Sequence, residues 1–202
     1  MQSTNQPNIV FDFGGVLMQH DREGCLAALR QLMSDEYITN GLGFGNDSHD
    51  TLRYQFETGD CSAQEFLDQV LAHSKPGATA QQVTDAWNRM HAGIADSTWN
   101  QLESLRGKGY RLYLMSNTDD IHWQHTMALY GEKIDDLFDA VFLSFEEGTA
   151  KPDEAFFKVV DRRLAASTMQ TLFVDDVAVN RKAAHQYVGW KAFETIDALF
   201  AQ

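Results

Sequence analysis

The sequence predicts an α/β fold, a Rossmann-like parallel sheet flanked by helices, with a small helical domain inserted after the first strand. Three observations predict it. Short apolar runs recur that are continuous rather than alternating, as expected of strands covered on both faces. Helical patterns separate the later runs, and alternation of strand with helix favours a parallel sheet. Residues 20–95, by contrast, hold no convincing strand but several helix starts.

The first run, Ile9-Val10-Phe11, ends at Asp12 and meets Gly14-Gly15, which reads as a buried strand feeding a tight turn. In the insert, Ser62-Ala63-Gln64-Glu65 forms a capping box ahead of Phe66, Leu67, Val70 and Leu71. A second box, Thr79-Ala80-Gln81-Gln82, precedes Val83, Trp87, Met90 and Ile94, whose helical spacing reads as a stripe of core packing. Residues 39–47 are a loop by composition. Within them Gly41-Leu42-Gly43-Phe44-Gly45 follows no predicted strand, so it reads as a flexible connection rather than a nucleotide-binding loop. Further on, Leu112-Tyr113-Leu114-Met115, Ala140-Val141-Phe142-Leu143 and Thr171-Leu172-Phe173-Val174 are strands, with helices over 153–164 and 180–187. The implied division is a core of 1–19 plus 96–202 and a helical domain of 20–95.

A chain of 202 residues has room for both parts, and 44% hydrophobic with 22% charged residues suits a globular protein. The 16 Lys+Arg set against 29 Asp+Glu give a net charge of −13. Nucleic acid and anionic membrane surfaces are therefore excluded as partners, because both demand a cationic footprint. An anionic small molecule needs positive charge concentrated locally. Two cysteines, Cys25 and Cys61, make no disulfide framework and suit a reducing compartment. Residues 1–8 lack a signal-peptide pattern, and no apolar run matches a membrane span. The expected location is cytoplasmic, as a monomer or homodimer.

In an open parallel sheet, ligands bind beyond the carboxyl ends of the strands. Asp12, Ser116 and Asp175-Asp176 fall at or just after such ends, and Lys151 a few residues beyond one. These scattered groups suit a phosphate monoester. Asp12 is placed to attack phosphorus, and a carboxylate meeting a dianion calls for a divalent cation. Asp12, Asp175 and Asp176 supply the hard oxygen ligands that Mg²⁺ prefers. Lys151 adds positive charge at the phosphoryl oxygens. The Ser116 hydroxyl and the Asn117 backbone N–H, near a helix start, donate hydrogen bonds to them.

Four motifs, in order and spanning nearly the whole chain, carry a resemblance to the haloacid dehalogenase superfamily. Phe11-Asp12-Phe13-Gly14-Gly15-Val16-Leu17 resembles its first motif and Ser116-Asn117-Thr118 its second. Lys151-Pro152-Asp153, with Phe156-Phe157 downstream, resembles its third; Phe173-Val174-Asp175-Asp176, with Asn180, resembles its fourth. Phe56-Glu57-Thr58-Gly59-Asp60, then Ser62 and Glu65-Phe66, is similar to the helical C1 cap of subfamily I. The resemblance implies a cap inserted after the first motif and Mg²⁺ held by Asp12, the Gly14 carbonyl and Asp176, with Asp175 touching the ion or bracing the others. It implies a phosphatase with an aspartyl-phosphate intermediate and a small phosphorylated metabolite as substrate.

One position departs from the family pattern. Most of its phosphatases place a general-acid Asp two residues after the nucleophile, where this chain has Gly14. A positioned proton donor is worth about 10²–10⁴-fold. The chain instead resembles the Asp-x-Gly-[Gly/Asn]-Val group of sugar-phosphate phosphatases. A sugar 1-phosphate, with its more acidic leaving oxygen, demands less protonation. His20 or Asp21, where the chain enters the cap, is a stand-in for the missing acid or simply a hinge. Two other activities compete. A 2-haloacid dehalogenase needs no metal, but the Asp175-Asp176 pair repels its carboxylate substrate. A catalytically weak binding or regulatory protein is the second, and a mutase is disfavoured by the missing acid. His122 and His125, three apart on a helix, lack further zinc ligands nearby and read as a surface pair. Arg53 and Tyr54 read as a solvated helix face that comes near substrate only secondarily.

Overall fold

The computed structural model describes residues 6–45, 48–164 and 170–200. Residues 1–5, and 46–47 of the loop read from composition, lie outside the described residues. A five-stranded, all-parallel sheet forms the centre. Its strands are β1 (Asn8–Phe11), β4 (Arg111–Ser116), β5 (Ala140–Leu143), β6 (Thr171–Val174) and β7 (Lys191–Phe193), in the order β5-β4-β1-β6-β7. The strand that carries the first motif is therefore the middle one. The continuous apolar runs are explained by alternation, since successive side chains leave opposite faces. Ile9, Phe11, Leu112, Leu114 and Val174 pack on one face with α5 (Asp96–Gly107) and α6 (Asp120–Leu137). Val10, Tyr113, Met115 and Phe173 pack on the other with α8 (Glu154–Leu164) and α9 (Ala178–Val188).

Register fixes what meets at the sheet's edge. Phe11 lies opposite both Val174 and Leu114, so the next residues, Asp12 and Asp175, emerge side by side, with Ser116 ending the neighbouring strand. The Asp12 N–H donates to the Val174 carbonyl at 2.8 Å, which ties the turn to β6.

Residues 22–88 build a second apolar cluster from α1 (Arg22–Leu32), α2 (Leu52–Glu57), α3 (Ala63–Ala72) and α4 (Ala80–Asn88). Both sequence-read capping boxes are present: Ser62 with Glu65 starts α3, and Thr79 with Gln82 starts α4. Phe66, Val70, Val83 and Trp87 are the buried sides of those two helices.

Three expectations are corrected. The stretch 20–95 does contain strand: β3 (His91–Ile94) pairs antiparallel with β2 (Met18–His20), a short ribbon where the chain leaves and re-enters the sheet region. The stripe Trp87, Met90, Ile94 therefore does not lie on one helix. α4 stops at Asn88, and Ile94 packs against the sheet cluster. A helical period cannot reveal where a helix ends when the strand that follows is only four residues long. Lastly, Tyr37–Gly41 is a π-helical turn, and Leu42 is fully buried. The Phe44 and Gly45 N–H groups bond back to the Ile38 and Thr39 carbonyls. The described part of 39–45 is thus held by its own backbone and by Leu42, and is no loose connection.

Candidate active site at the carboxyl edge of the sheet

Asp12, Asp175 and Asp176 bring carboxylate oxygens within 4.8 Å of one another. Among the described residues they are the one group of three acidic, His or Cys side chains close enough to share an ion. Lys151 reaches in from the loop between α7 (Ser144–Glu147) and α8, its ammonium 2.7 Å from Asp12 Oδ1 and 2.9 Å from Asp175 Oδ2. Asp12, Lys151 and Asp175 are all buried. One ammonium among three carboxylates leaves negative charge uncompensated in a poorly solvated place, which favours a bound cation. Burial pushes the Asp12 carboxyl up to about 7, against the pull of Lys151 and with the help of Asp175. Burial also opposes the Lys151 ammonium, but the two aspartates outweigh it and raise its pKa.

The three acids differ in what they have left to offer. Both Asp175 oxygens are taken: Oδ1 accepts from the Val177 N–H and Asn180 Nδ2, Oδ2 from Lys151 and Asn180 Nδ2. Asp175 is thus suited to bracing Lys151 and the β6–α9 turn. Asp12 Oδ1 accepts from the Phe13 N–H and from Lys151, while Oδ2 takes no hydrogen bond among the described residues. Asp176 is exposed and likewise has no protein donor on its carboxylate among them. Gly15, at φ +80°, lets that carboxylate approach the first-motif turn, where a Cβ would collide with it. Hard oxygens from Asp12 and Asp176, with waters and substrate oxygens completing the shell, match the preference of Mg²⁺.

Ser116 ends β4 fully shielded from solvent, beside this cluster. The Asn117 side chain is a strut. Its Oδ1 accepts the Lys151 N–H at 2.8 Å, and its Nδ2 donates to the Lys151 carbonyl at 2.8 Å. That leaves the Asn117 backbone, not its amide, for a ligand. The strut explains how a loop lysine, several residues past its strand, is held over Asp12.

The position of Gly14 is filled from elsewhere. A Cβ there would run into the His20 ring, so the imidazole stands where a side chain at 14 would project. Burial, with His122 adding to it, lowers the His20 pKa despite nearby Asp176. The other stand-in is employed elsewhere: Asp21 accepts the Gly24 N–H at 2.8 Å as the N-cap of α1.

Behind His20 lies a cavity of about 260 Å³ between the sheet edge and the helical cluster. Its wall includes Arg22, Phe44, Arg53, Glu57, Trp87 and His91, with Asn117 and Thr118 on the sheet side. Two sequence expectations fail here. His122 is no surface residue: it is buried, its Nδ1 2.8 Å from Asp119, its Nε2 3.0 Å from the Trp87 carbonyl. Its ring stacks on Trp87 at 5.3 Å and on His91 at 4.4 Å, and His91 stacks in turn on His20 at 6.1 Å. Arg53 is not on a solvated face but lines the cavity, its Nη1 3.0 and 3.2 Å from the two Glu57 oxygens. Tyr54 turns the other way, and its hydroxyl donates to Asp153 at 3.2 Å. Glu57, His91 and Asp119 were not singled out as site residues. Asp119 has a local signal, an acid three residues before His122 at a helix start, and Glu57 lies within the cap-like motif; that Glu57 and His91 face this cavity depends on how the cluster docks.

The haloacid dehalogenase-like hydrolase model matches residues 7–187. The chain belongs to the haloacid dehalogenase-like hydrolase family. Within it, the chain is 29% identical over 192 residues to a D-ribitol-5-phosphate phosphatase of Bacteroides thetaiotaomicron, covering 93% of this chain and 90% of that protein. It is 30% identical over 193 residues to the sesquiterpene phosphatase AstK of Aspergillus oryzae, covering 94% and 90%. A haloacid dehalogenase family enzyme of B. thetaiotaomicron, crystallised with magnesium and inorganic phosphate, superposes with a TM-score of 0.78 at 29% identity, covering 93% of this chain and 92% of that one. The haloacid dehalogenase fold thus holds from β1 through α9.

Proposed function

We propose that this family member is a Mg²⁺-dependent phosphatase acting on the phosphate monoester of a small sugar or alditol. The observation that carries it is the cluster of Asp12, Asp175, Asp176 and Lys151 at the mouth of the sheet. A bound Mg²⁺ supplies the positive charge that lets a carboxylate approach a phosphate dianion. Asp12, Asp176 and the Gly14 carbonyl hold it, and Asp175 braces the arrangement.

Asp12 attacks phosphorus, the bond to the leaving oxygen breaks, and that oxygen takes up a proton. Water then attacks the aspartyl phosphate, releasing phosphate, a proton and free Asp12. Lys151, the Ser116 hydroxyl and the Asn117 N–H bind the phosphoryl oxygens. His20, filling the space before Gly14, is the chain's own group nearest the position of the absent acid and serves the proton at the leaving oxygen. Residues 20–95 act as a cap over the core of 1–19 and 96–202, and the cavity between them holds the organic part.

Polarity of that cavity favours a polyol over a terpenoid, since covering the Arg53–Glu57 pair and His91 with a hydrocarbon withdraws their polar atoms further from water and offers no new hydrogen bond in return. The sugar 1-phosphate expected from the leaving-group argument stays within the class. The alditol phosphate of the bacterial relative is a primary ester and widens it. Two free, buried cysteines agree with a cytoplasmic location, and no helix among the described residues is long and apolar enough to cross a membrane.

The test is phosphate release from sugar 1-phosphates, sugar and alditol terminal phosphates and prenyl phosphates, with Mg²⁺ and with a chelator. Turnover should need the metal, prefer polyol esters and vanish in a folded Asp12→Asn variant. Hydrolysis that survives chelation, or no hydrolysis of any ester, sinks the proposal.

A further inference from the structure

We propose that Glu57, held by Arg53, reads hydroxyl groups of the substrate at the end remote from phosphorus. This rests on the phosphatase reading above and names the residues that give it its polyol preference. The cavity reaches from His20 and Asn117, beside the carboxylate cluster, to α2, where Arg53 and Glu57 stand one helical turn apart. Both side chains are largely withdrawn from water, 24% and 18% exposed.

The chemistry follows from what the carboxylate has left over. An ionised carboxylate only accepts, with about four lone-pair positions. Both Glu57 oxygens receive the same Arg53 Nη1, so acceptor capacity remains on each. A group that completes it must be a donor. A second anionic group is repelled by Glu57, and a hydrocarbon leaves it desolvated and unanswered. Hydroxyls fit. Beside the pair, Phe44 and Trp87 meet edge to face at 5.7 Å and give apolar surface for the C–H side of a carbon chain. A row of hydroxyls on one side and C–H bonds on the other is what an alditol or sugar presents. A site built around such hydrogen bonds discriminates strongly against the analogue lacking them.

Glu57 is remote from the reacting atoms, so its contact is made in ground state and transition state alike and is felt in KM more than in kcat. The experiment compares two substrates in the full chain with saturating Mg²⁺: the best sugar or alditol phosphate and n-propyl phosphate, a primary ester with no further hydroxyl. Wild type should prefer the polyol ester. Glu57→Ala should lower its kcat/KM by about 10–100-fold, chiefly through KM, as the loss of a hydrogen bond to a charged group implies, while propyl phosphate changes less than about twofold. Glu57→Gln, close in shape and still an acceptor, should recover part of the loss and guards against a variant that fails to fold. Equal losses on both esters mean a structural role and overturn the proposal. So does a wild type that shows no preference while still hydrolysing both, and then the phosphatase reading stands alone. If wild type hydrolyses neither ester, both readings fall.

Discussion

At the level of single residues, the proposed chemistry turns on Asp12 and on what surrounds it. Its Oδ1 is fixed by two donors and its carboxyl is pushed up to about 7 by burial, so a proton competes for it under ordinary conditions. Asp12 and Lys151 are the proposed catalytic pair, Asp12 recognisable at a strand end and Lys151 several residues beyond one, in a motif with Pro152 and Asp153. The role of Gly14 was only half legible. The missing acid could be read, and His20 and Asp21 named as candidates for its place, but the choice between them could not, because the His20 ring returns to that point through a ribbon invisible in the pattern. Replacing His20 with Ala should reduce kcat on primary-alcohol phosphates by about 10²-fold, at the low end of what a positioned proton carrier contributes, with a smaller loss on anomeric phosphates. Steady-state rates on the two ester classes check this; an unchanged kcat on both removes His20 from the reaction.

Among the elements, the junction of α4, α6 and β3 decides how the helical cluster sits on the sheet. Trp87 Nε1 donates to Asp119 at 3.0 Å, Asp119 pairs with His122, and the rings of Trp87, His122, His91 and His20 form a stack running toward Gly14. Burial opposes both charges of the pair, yet each partner outweighs it: the His122 pKa is raised and that of Asp119 lowered. A raised histidine contributes stability that is complete below its ordinary value of 6.5 and is lost as pH climbs through its folded value. A lowered aspartate contributes stability that is complete above 3.8 and is lost as pH falls through its folded value. The pair therefore counts most between those two values. Asp119→Ala should cost about 3–5 kcal/mol near pH 6, the penalty for orphaning a buried charge, and should flatten the decline of stability on the alkaline side. Urea unfolding at several pH values measures it; a variant that keeps the wild-type pH profile contradicts the assignment.

For the molecule as a whole, a chain of net charge −13 gathers carboxylates where the proposed anionic substrate would arrive, and a cation held by them would reconcile the two. Ligand binding to the folded state alone stabilises it by mass action. Magnesium with inorganic phosphate at about 100 times its dissociation constant adds about 2.7 kcal/mol, which for a chain of this size raises Tm by about 5–10 °C. The rise should be larger at pH 8 than at pH 6, because protonated Asp12 gives up its place in the metal shell as pH falls below about 7. Thermal unfolding with and without a chelator decides it; a Tm indifferent to Mg²⁺ and phosphate at both pH values counts against the metal site.

The sequence by itself determined the parallel core, the two capping boxes and the gathering of Asp12, Ser116, Lys151, Asp175 and Asp176 as candidates at one edge, because strand ends in a parallel sheet share that edge and local patterns mark those ends. Only the tertiary structure decided which acid braces and which stays open, that Asn117 is a strut for Lys151, that His20 stands before Gly14, and that Arg53 and Glu57 face the cavity. Each of these depends on contacts between residues far apart in sequence. Such contacts are set by how two packed clusters dock, and no period along the chain encodes that.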